Sequence, residues 1–400
     1  MKRYTKPKFL EQIGRGQLGR LLEKFQPDFM AHNITLPPVT LEDRDYYVAL
    51  AKLSVGQPGL PENVIEALYS IEAMANPFAR ARLLQAVALA GILMERIQTA
   101  TDADIAVQVL LADPALFGLK HDETRIAAMS SFEYHGCADP VDRRQTFTAP
   151  TMEELLRIKT DIDTWLEEER DGEEHVTEIE RHEMGGEHWF LIRRGDSSVR
   201  LPTVEGRIIT VRHLRPARDV VVVLNLERDE LRVHGKTAGE KRMLRELFGR
   251  RLFGDPDHFS VQKTFTLKPL RDGLLEALTV TPGQGIDEII LVHLEEQLDG
   301  EHNVVIQWKV DDLSVYAETP RPWAVPLRGR LLTAGFLITF TGNPSKPRMV
   351  YLRAGNKLRL TRHCDAAAVH LWLSEKGFRD VEEETVNRLT QYNGIAVGNN

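Results

Sequence analysis

Residues able to carry chemistry are thinly scattered along this sequence, and their spacing argues against most of the chemistries they suggest. Gly14-Arg15-Gly16-Gln17-Leu18-Gly19 spells G-x-G-x-x-G. A glycine-rich dinucleotide turn needs a strand before it. Here both flanks carry helical periodicity, so a loop or kinked helix is expected. Gly235-Lys236-Thr237 ends like a phosphate-binding loop. The first glycine of that motif would fall at Glu230, so a strand-to-helix turn is expected, whose helix N-terminus keeps some attraction for anions. His182-Glu183 and Glu187-His188 set two histidines six residues apart across Gly185-Gly186, whereas a zinc-binding helix spaces them four apart. His135-Gly136-Cys137 and His363-Cys364-Asp365 place base and nucleophile types side by side, yet sequence neighbours seldom align as a dyad. These patterns commit no residue to catalysis or to a metal, and imply no cofactor.

Residues 303–312 (NVVIQWKVDD), preceded by Asp299, are the most enzyme-like stretch. An acid followed by Gln307-Trp308-Lys309 resembles the D…(D/E/Q)-x-K arrangement of metal-dependent nucleases of the restriction-endonuclease type. The resemblance implies a divalent ion held by Asp299 and Gln307, with Lys309 activating water or stabilising charge. Geometry weakens it. If Asp299-Gly300 is the turn, Asp299 stands roughly 15 Å from Gln307 along the ladder. His293 and Glu295 lie nearer without completing the pattern.

Charge segregation is the stronger signal. Residues 321–364 contain nine Lys/Arg and no acid, within a chain of net charge −8. A long one-sign stretch points to a polyanionic partner or an acidic surface in the same assembly. Within it, residues 349–361 (MVYLRAGNKLRLT) spell a hairpin around Ala354-Gly355-Asn356. Pairing across that turn sets Arg353 opposite Lys357, Leu352 opposite Leu358, Tyr351 opposite Arg359 and Val350 opposite Leu360. Alternation sends Val350, Leu352, Leu358 and Leu360 to the core and Tyr351, Arg353, Lys357 and Arg359 to the other face. A tyrosine among cations suits a surface that tracks a phosphate backbone and stacks a base. Arg348 and Lys346 extend it. The competing reading is a solvated edge hairpin whose cations discourage strand addition.

A weaker basic cluster follows the Gly235 turn: Lys236, Lys241, Arg242, Arg245, Arg250 and Arg251, with acids interspersed. Residues 161–183 hold eleven acids against Arg170 and Arg181. They read as the end of a helix and then a solvated connection.

Hydrophobic periodicity places these groups on elements. Residues 8–25, 41–53, 61–71, 76–98 and a segment opening at Asp102 or Asp104 read as helices. Pattern then shifts to period two. A hairpin is expected around Met184-Gly185-Gly186, with strands near 207–212, 220–226, 259–267, 289–298, 303–310, 335–341, 349–353 and 357–361. A helix capped by Thr237 covers 237–248, one capped by Asp365 covers 366–376, and residues 380–392 are expected to be helical. The fold class is therefore multidomain: an N-terminal helical bundle (1–150), an acidic helix and connection (151–184), and a mostly antiparallel α+β domain (185–400) with C-terminal helices.

Two cysteines offer no disulfide framework. The apolar run 83–94 is too short for a bilayer span, and no apolar signal core follows the basic N-terminus. A cytoplasmic protein without membrane contact is expected. The expected function is non-enzymatic: a nucleic-acid-binding accessory or sensor subunit of a larger bacterial, possibly defence, assembly. Its DNA or RNA would sit on the basic hairpin, and a protein partner on the helical domain. The alternatives are a scaffold whose basic face docks the acidic run, and a divalent-metal nuclease.

Overall fold

The computed structural model describes residues 3–55, 60–137, 147, 149–169, 176–205, 208–260, 264–298, 303–317, 329–341, 347–360 and 366–379. Arg321, Trp323, Arg328, Lys346, Asp299, Cys364, the Asp365 cap and the 380–392 helix lie outside them. The chain divides into two compact units: Met1–Ala127 with Pro202–Val211, and Ala128–Leu201 with the residues from Arg212 onward.

The first unit is built of helices α1 (Pro7–Leu10), α2 (Arg15–Lys24), α3 (Gln26–Ala31), α4 (Asp43–Val55), α5 (Glu62–Met74), α6 (Pro77–Leu89), α7 (Asp102–Ala112) and α8 (Pro114–Ala127). The apolar stripes of the sequence become its core: Leu10, Leu18, Leu21, Leu68, Ile71 and Ile105 are buried in one cluster. Gly14 splits the expected 8–25 helix in two. It serves as the N-cap of α2, and its N–H donates to Asp104 Oδ1 at 3.0 Å. With a helix before it, the glycine motif is no dinucleotide turn. The 76–98 helix opens as expected, Asn76 Oδ1 accepting from the Ala79 N–H at 3.0 Å, but it stops at Leu89. Gly91 takes φ +68° and the Ile92 N–H closes on Val87 O at 2.9 Å, a glycine-terminated helix end.

The second unit is a ten-stranded antiparallel sheet. Its strands are β1 (Ser131–Gly136), β2 (Thr177–Met184), β3 (Glu187–Gly195), β6 (Ala217–Asn225), β7 (Glu230–His234), β8 (Ile286–Gln297), β9 (Val305–Lys309), β10 (Arg330–Phe340), β11 (Arg348–Arg353) and β12 (Lys357–Leu360). They run in the order β2-β3-β6-β7-β1-β12-β11-β10-β8-β9; β4 (Val199–Glu205) pairs β5 (Ile208–Leu214) in a two-stranded sheet whose Pro202–Val211 belongs to the first unit. Gly185 and Gly186, at φ +60° and +76°, make the tight β2–β3 turn.

Helices sit on opposite faces at the two ends of this sheet. Helices α9 (Met152–Glu169) and α10 (Ala238–Phe253) bury Leu155, Ile158, Ile162, Leu244 and Phe248 against Phe190, Val222 and Val233 of β3, β6 and β7. Beyond β1 the other face is covered instead. There α14 (Ala366–Glu375) brings Trp372 edge-on to Phe336 of β10 at 5.0 Å, accompanied by α11 (Lys268–Asp272), α12 (Leu274–Leu278) and α13 (Ser314–Ala317). Among the described residues of 259–267 there is no strand: Phe259 and Phe265 are buried, Phe265 bridges to Gly355 and Arg379, and the Thr264 N–H donates to Gly355 O at 2.8 Å. The acidic run divides between α9 and β2 among the described residues.

Candidate nucleic-acid interface

The hairpin forms in the expected register: Arg353 opposite Lys357, Leu352 opposite Leu358, Tyr351 opposite Arg359, Val350 opposite Leu360. Val350, Leu352, Leu358 and Leu360 are 5% exposed or less. Arg353, Lys357 and Arg359 are exposed and Tyr351 is half-buried. Its location differs from the edge-strand reading. β12 pairs with β1 and β11 with β10, so the hairpin lies inside the sheet. Its cations therefore guard no free edge.

Because the covering helices change faces at β1, the cation-bearing face of β12, β11, β10, β8 and β9 continues the plane that α9 and α10 cover elsewhere. Register builds two rows across it. Lys309, His293, Gly335, Tyr351, Arg359 and Ser131 form one; Gln307, Glu295, Thr333, Arg353, Lys357 and Glu133 form the next. At about 4.8 Å per strand, each row spans roughly 24 Å.

Gly335 makes room for the tyrosine. A Cβ there would stand 2.8 Å from His293 Cβ and 2.9 Å from Tyr351 Cε1. The Tyr351 and His293 rings meet edge-on at 5.7 Å, and the Arg359 guanidinium lies 5.9 Å from the Tyr351 ring centre. Lys357 Nζ is 3.0 Å from Glu133 Oε1, which also receives Lys241 Nζ. Burial pushes the Glu133 carboxyl up, but the two lysines outweigh it and hold its pKa below the ordinary value. The Thr333 hydroxyl similarly keeps Glu295 ionised, helped by Gln307 Nε2 at 3.0 Å. Arg348 does not extend this face: opposite Ile338 and in step with Val350 and Leu352, it falls on the other side of the sheet, its guanidinium over Phe340 at 5.3 Å.

The second basic cluster is mostly occupied within the fold. Lys236 pairs with Asp196 at 3.2 Å, Arg245 with Glu246 at 2.9 Å, and Arg251 grips Asp161 through two bonds of 2.7 and 2.8 Å. Arg251 thus takes up one acid of the 161–183 run and ties α10 to α9. Arg242 and Arg250 are exposed.

The catalytic-looking groups do not converge. Gln307 bonds Glu295 and Lys309 stands opposite His293, while Asp299 lies outside the described residues. His182 is opposite Trp189 whereas His188 is opposite Glu183, so the two histidines point to opposite faces. Cys137 Sγ lies 4.0 Å from Nδ1 of His258. Among the described residues no three His, Cys, Asp or Glu could hold a metal, and no helix is long and apolar enough to cross a membrane.

Sequence reasoning missed Glu133, Lys241, His293 and Lys309 as neighbours of the hairpin. Period-two alternation already aligned Gln307 with Lys309; only strand order brings them beside Tyr351. Comparison of the sequence with protein-family models and with curated proteins finds no match.

Proposed function

We propose that this chain is a non-enzymatic nucleic-acid-binding subunit whose ligand lies on the cation-bearing sheet face around Tyr351, Arg353, Lys357 and Arg359. One observation carries the reading. The three cations and the tyrosine occupy the interior of a sheet face, in rows that reach Lys309 on one side and Lys241 on the other. Cations spread over several strands meet successive phosphates, and the half-buried Tyr351 ring at the centre, backed by buried His293, offers a base an aromatic partner. Of the two carboxylates on the face, Glu133 is neutralised by Lys357 and Lys241, while Glu295, bonded by the neutral Gln307 amide, keeps its charge at the far end of its row. The helical unit supplies protein contacts; Leu89 and Leu93 there are 84% and 97% exposed.

The test is binding of a fluorescent oligonucleotide by the full chain over a salt series. Affinity is expected to fall steeply with salt, and the triple reversal R353E/K357E/R359E to abolish binding while leaving the thermal melt intact. A wild type that binds nothing at low salt, or a triple variant that binds as well, would refute the proposal.

A further inference from the structure

An apolar row borders the rows that carry the cations. Met349 precedes Tyr351 by two residues on β11 and stands opposite Leu337 of β10, which stands opposite Ile290 of β8. Alternation puts all three on the cation-bearing face, and all three are half-buried. The register shift between Gly335 and Phe336 in the β10–β8 ladder is what returns Ile290 to that face. It lets His293 and Ile290, at an odd spacing, point the same way. Along the strands the chemistry therefore changes in order: an apolar row, the row of Tyr351, then the row of Arg353 and Lys357. Successive rows are about 7 Å apart, two residues along each strand.

This order suits a nucleic-acid strand lying across the β-strands, with bases toward the apolar side and phosphates toward the cations. A duplex keeps its base faces stacked inside and turns sugars and phosphates outward, so it would leave the apolar row unused. An unpaired strand can lay its bases on aromatic and apolar side chains. Lys357 already meets Glu133, whereas Arg353 and Arg359 enter no ion pair among the described residues.

Glu295 selects the sugar. It lies in the row of Arg353, two strands or roughly 10 Å away, opposite Thr333. The Thr333 hydroxyl and the Gln307 amide keep it ionised. An ionised carboxylate beside phosphates is repelled unless the same strand gives it a donor. At the level of the backbone the one donor is the ribose 2′-hydroxyl, which DNA lacks. A charged acceptor makes the stronger hydrogen bond with it.

We infer that this sheet face holds single-stranded RNA, with bases on Tyr351, Met349 and Leu337, phosphates on Arg353 and Lys357, and a ribose 2′-hydroxyl donating to Glu295. The inference rests on the nucleic-acid reading above and names the ligand of that same face.

The experiment measures anisotropy of labelled oligouridylate, of oligodeoxyuridylate of equal length, and of an RNA duplex. The proteins are full-length wild type, E295Q, M349S, Y351A and R353E/K357E/R359E, each checked for a cooperative melt by circular dichroism. Wild type is expected to bind oligouridylate several-fold more tightly than the deoxy strand and about tenfold more tightly than the duplex. E295Q should lose the preference for ribose. M349S and Y351A should each weaken oligouridylate binding several-fold and leave duplex affinity unchanged. A wild type that binds the deoxy strand or the duplex as tightly overturns the inference. So does an E295Q that keeps the full ribose preference, or oligouridylate binding unchanged in both M349S and Y351A. If binding is then still lost in R353E/K357E/R359E, the sheet-face reading stands alone. No nucleic-acid binding by wild type overturns both.

Discussion

Lys357 Nζ lies 3.0 Å from Glu133 Oε1 across the β12–β1 ladder, and the same oxygen takes Lys241 from α10. Two cations that would serve a phosphate are thus held by one internal carboxylate. The hairpin's own like-charge pair, Arg353 opposite Lys357, is relieved from the side by that acid.

Glu133 therefore competes with an external anion. E133Q is expected to raise nucleic-acid affinity several-fold and to steepen its salt dependence, since two freed lysines release more counterions on binding. Anisotropy titrations at several salt concentrations check this. A weaker-binding E133Q would mean that the carboxylate orients the lysines productively.

Gly335 fixes where Tyr351 stands. G335A brings a methyl group within 2.8–2.9 Å of His293 and Tyr351. Tyr351 must then move, at a cost of about 1–3 kcal/mol of stability. Y351A keeps the backbone and removes the ring, and is expected to cost about 1–3 kcal/mol of single-strand binding. Denaturant melts and oligonucleotide titrations separate the two effects.

His135 makes stability depend on pH. It is 5% exposed, and burial, with Arg245 and Lys241 adding to it against Glu133, lowers its pKa from 6.5 to about 4. Between those values the unfolded chain holds a proton that the folded chain does not. The stabilising contribution is complete above about pH 6.5 and is lost as pH falls toward 4, on the order of 3 kcal/mol in all. Urea melts from pH 7.5 to 4 should show the decline, and H135L should flatten it.

Arg194 and Glu240 form a buried pair, with Arg194 Nε donating to Glu240 Oε1 at 2.6 Å and side chains 4% and 3% exposed. Either R194M or E240L leaves the other charge buried without its partner and should cost about 3–5 kcal/mol, whereas R194M/E240L together should cost clearly less than the two summed. Chemical denaturation of the three variants tests the coupling.

Local pattern determined a good part of this protein. The hairpin's register and its buried face were legible because side-chain period in a strand is two and the Ala354-Gly355-Asn356 turn pins the pairing. The Thr237 cap held as well, its Oγ1 accepting from the Glu240 N–H at 3.1 Å. β1 and β7 were not legible. Glu133, Arg232 and Glu230 interrupt their apolar alternation, and those charges are tolerated only because Lys241, Glu187 and Arg379 meet them from distant parts of the chain. Tertiary structure also decided that the basic hairpin is interior, and that Lys309, His293 and Glu133 share its face. No local spacing encodes which strand lies beside which. That order follows from burying α9 and α10 on one face and α14 on the other, which leaves the cation rows uncovered by these helices.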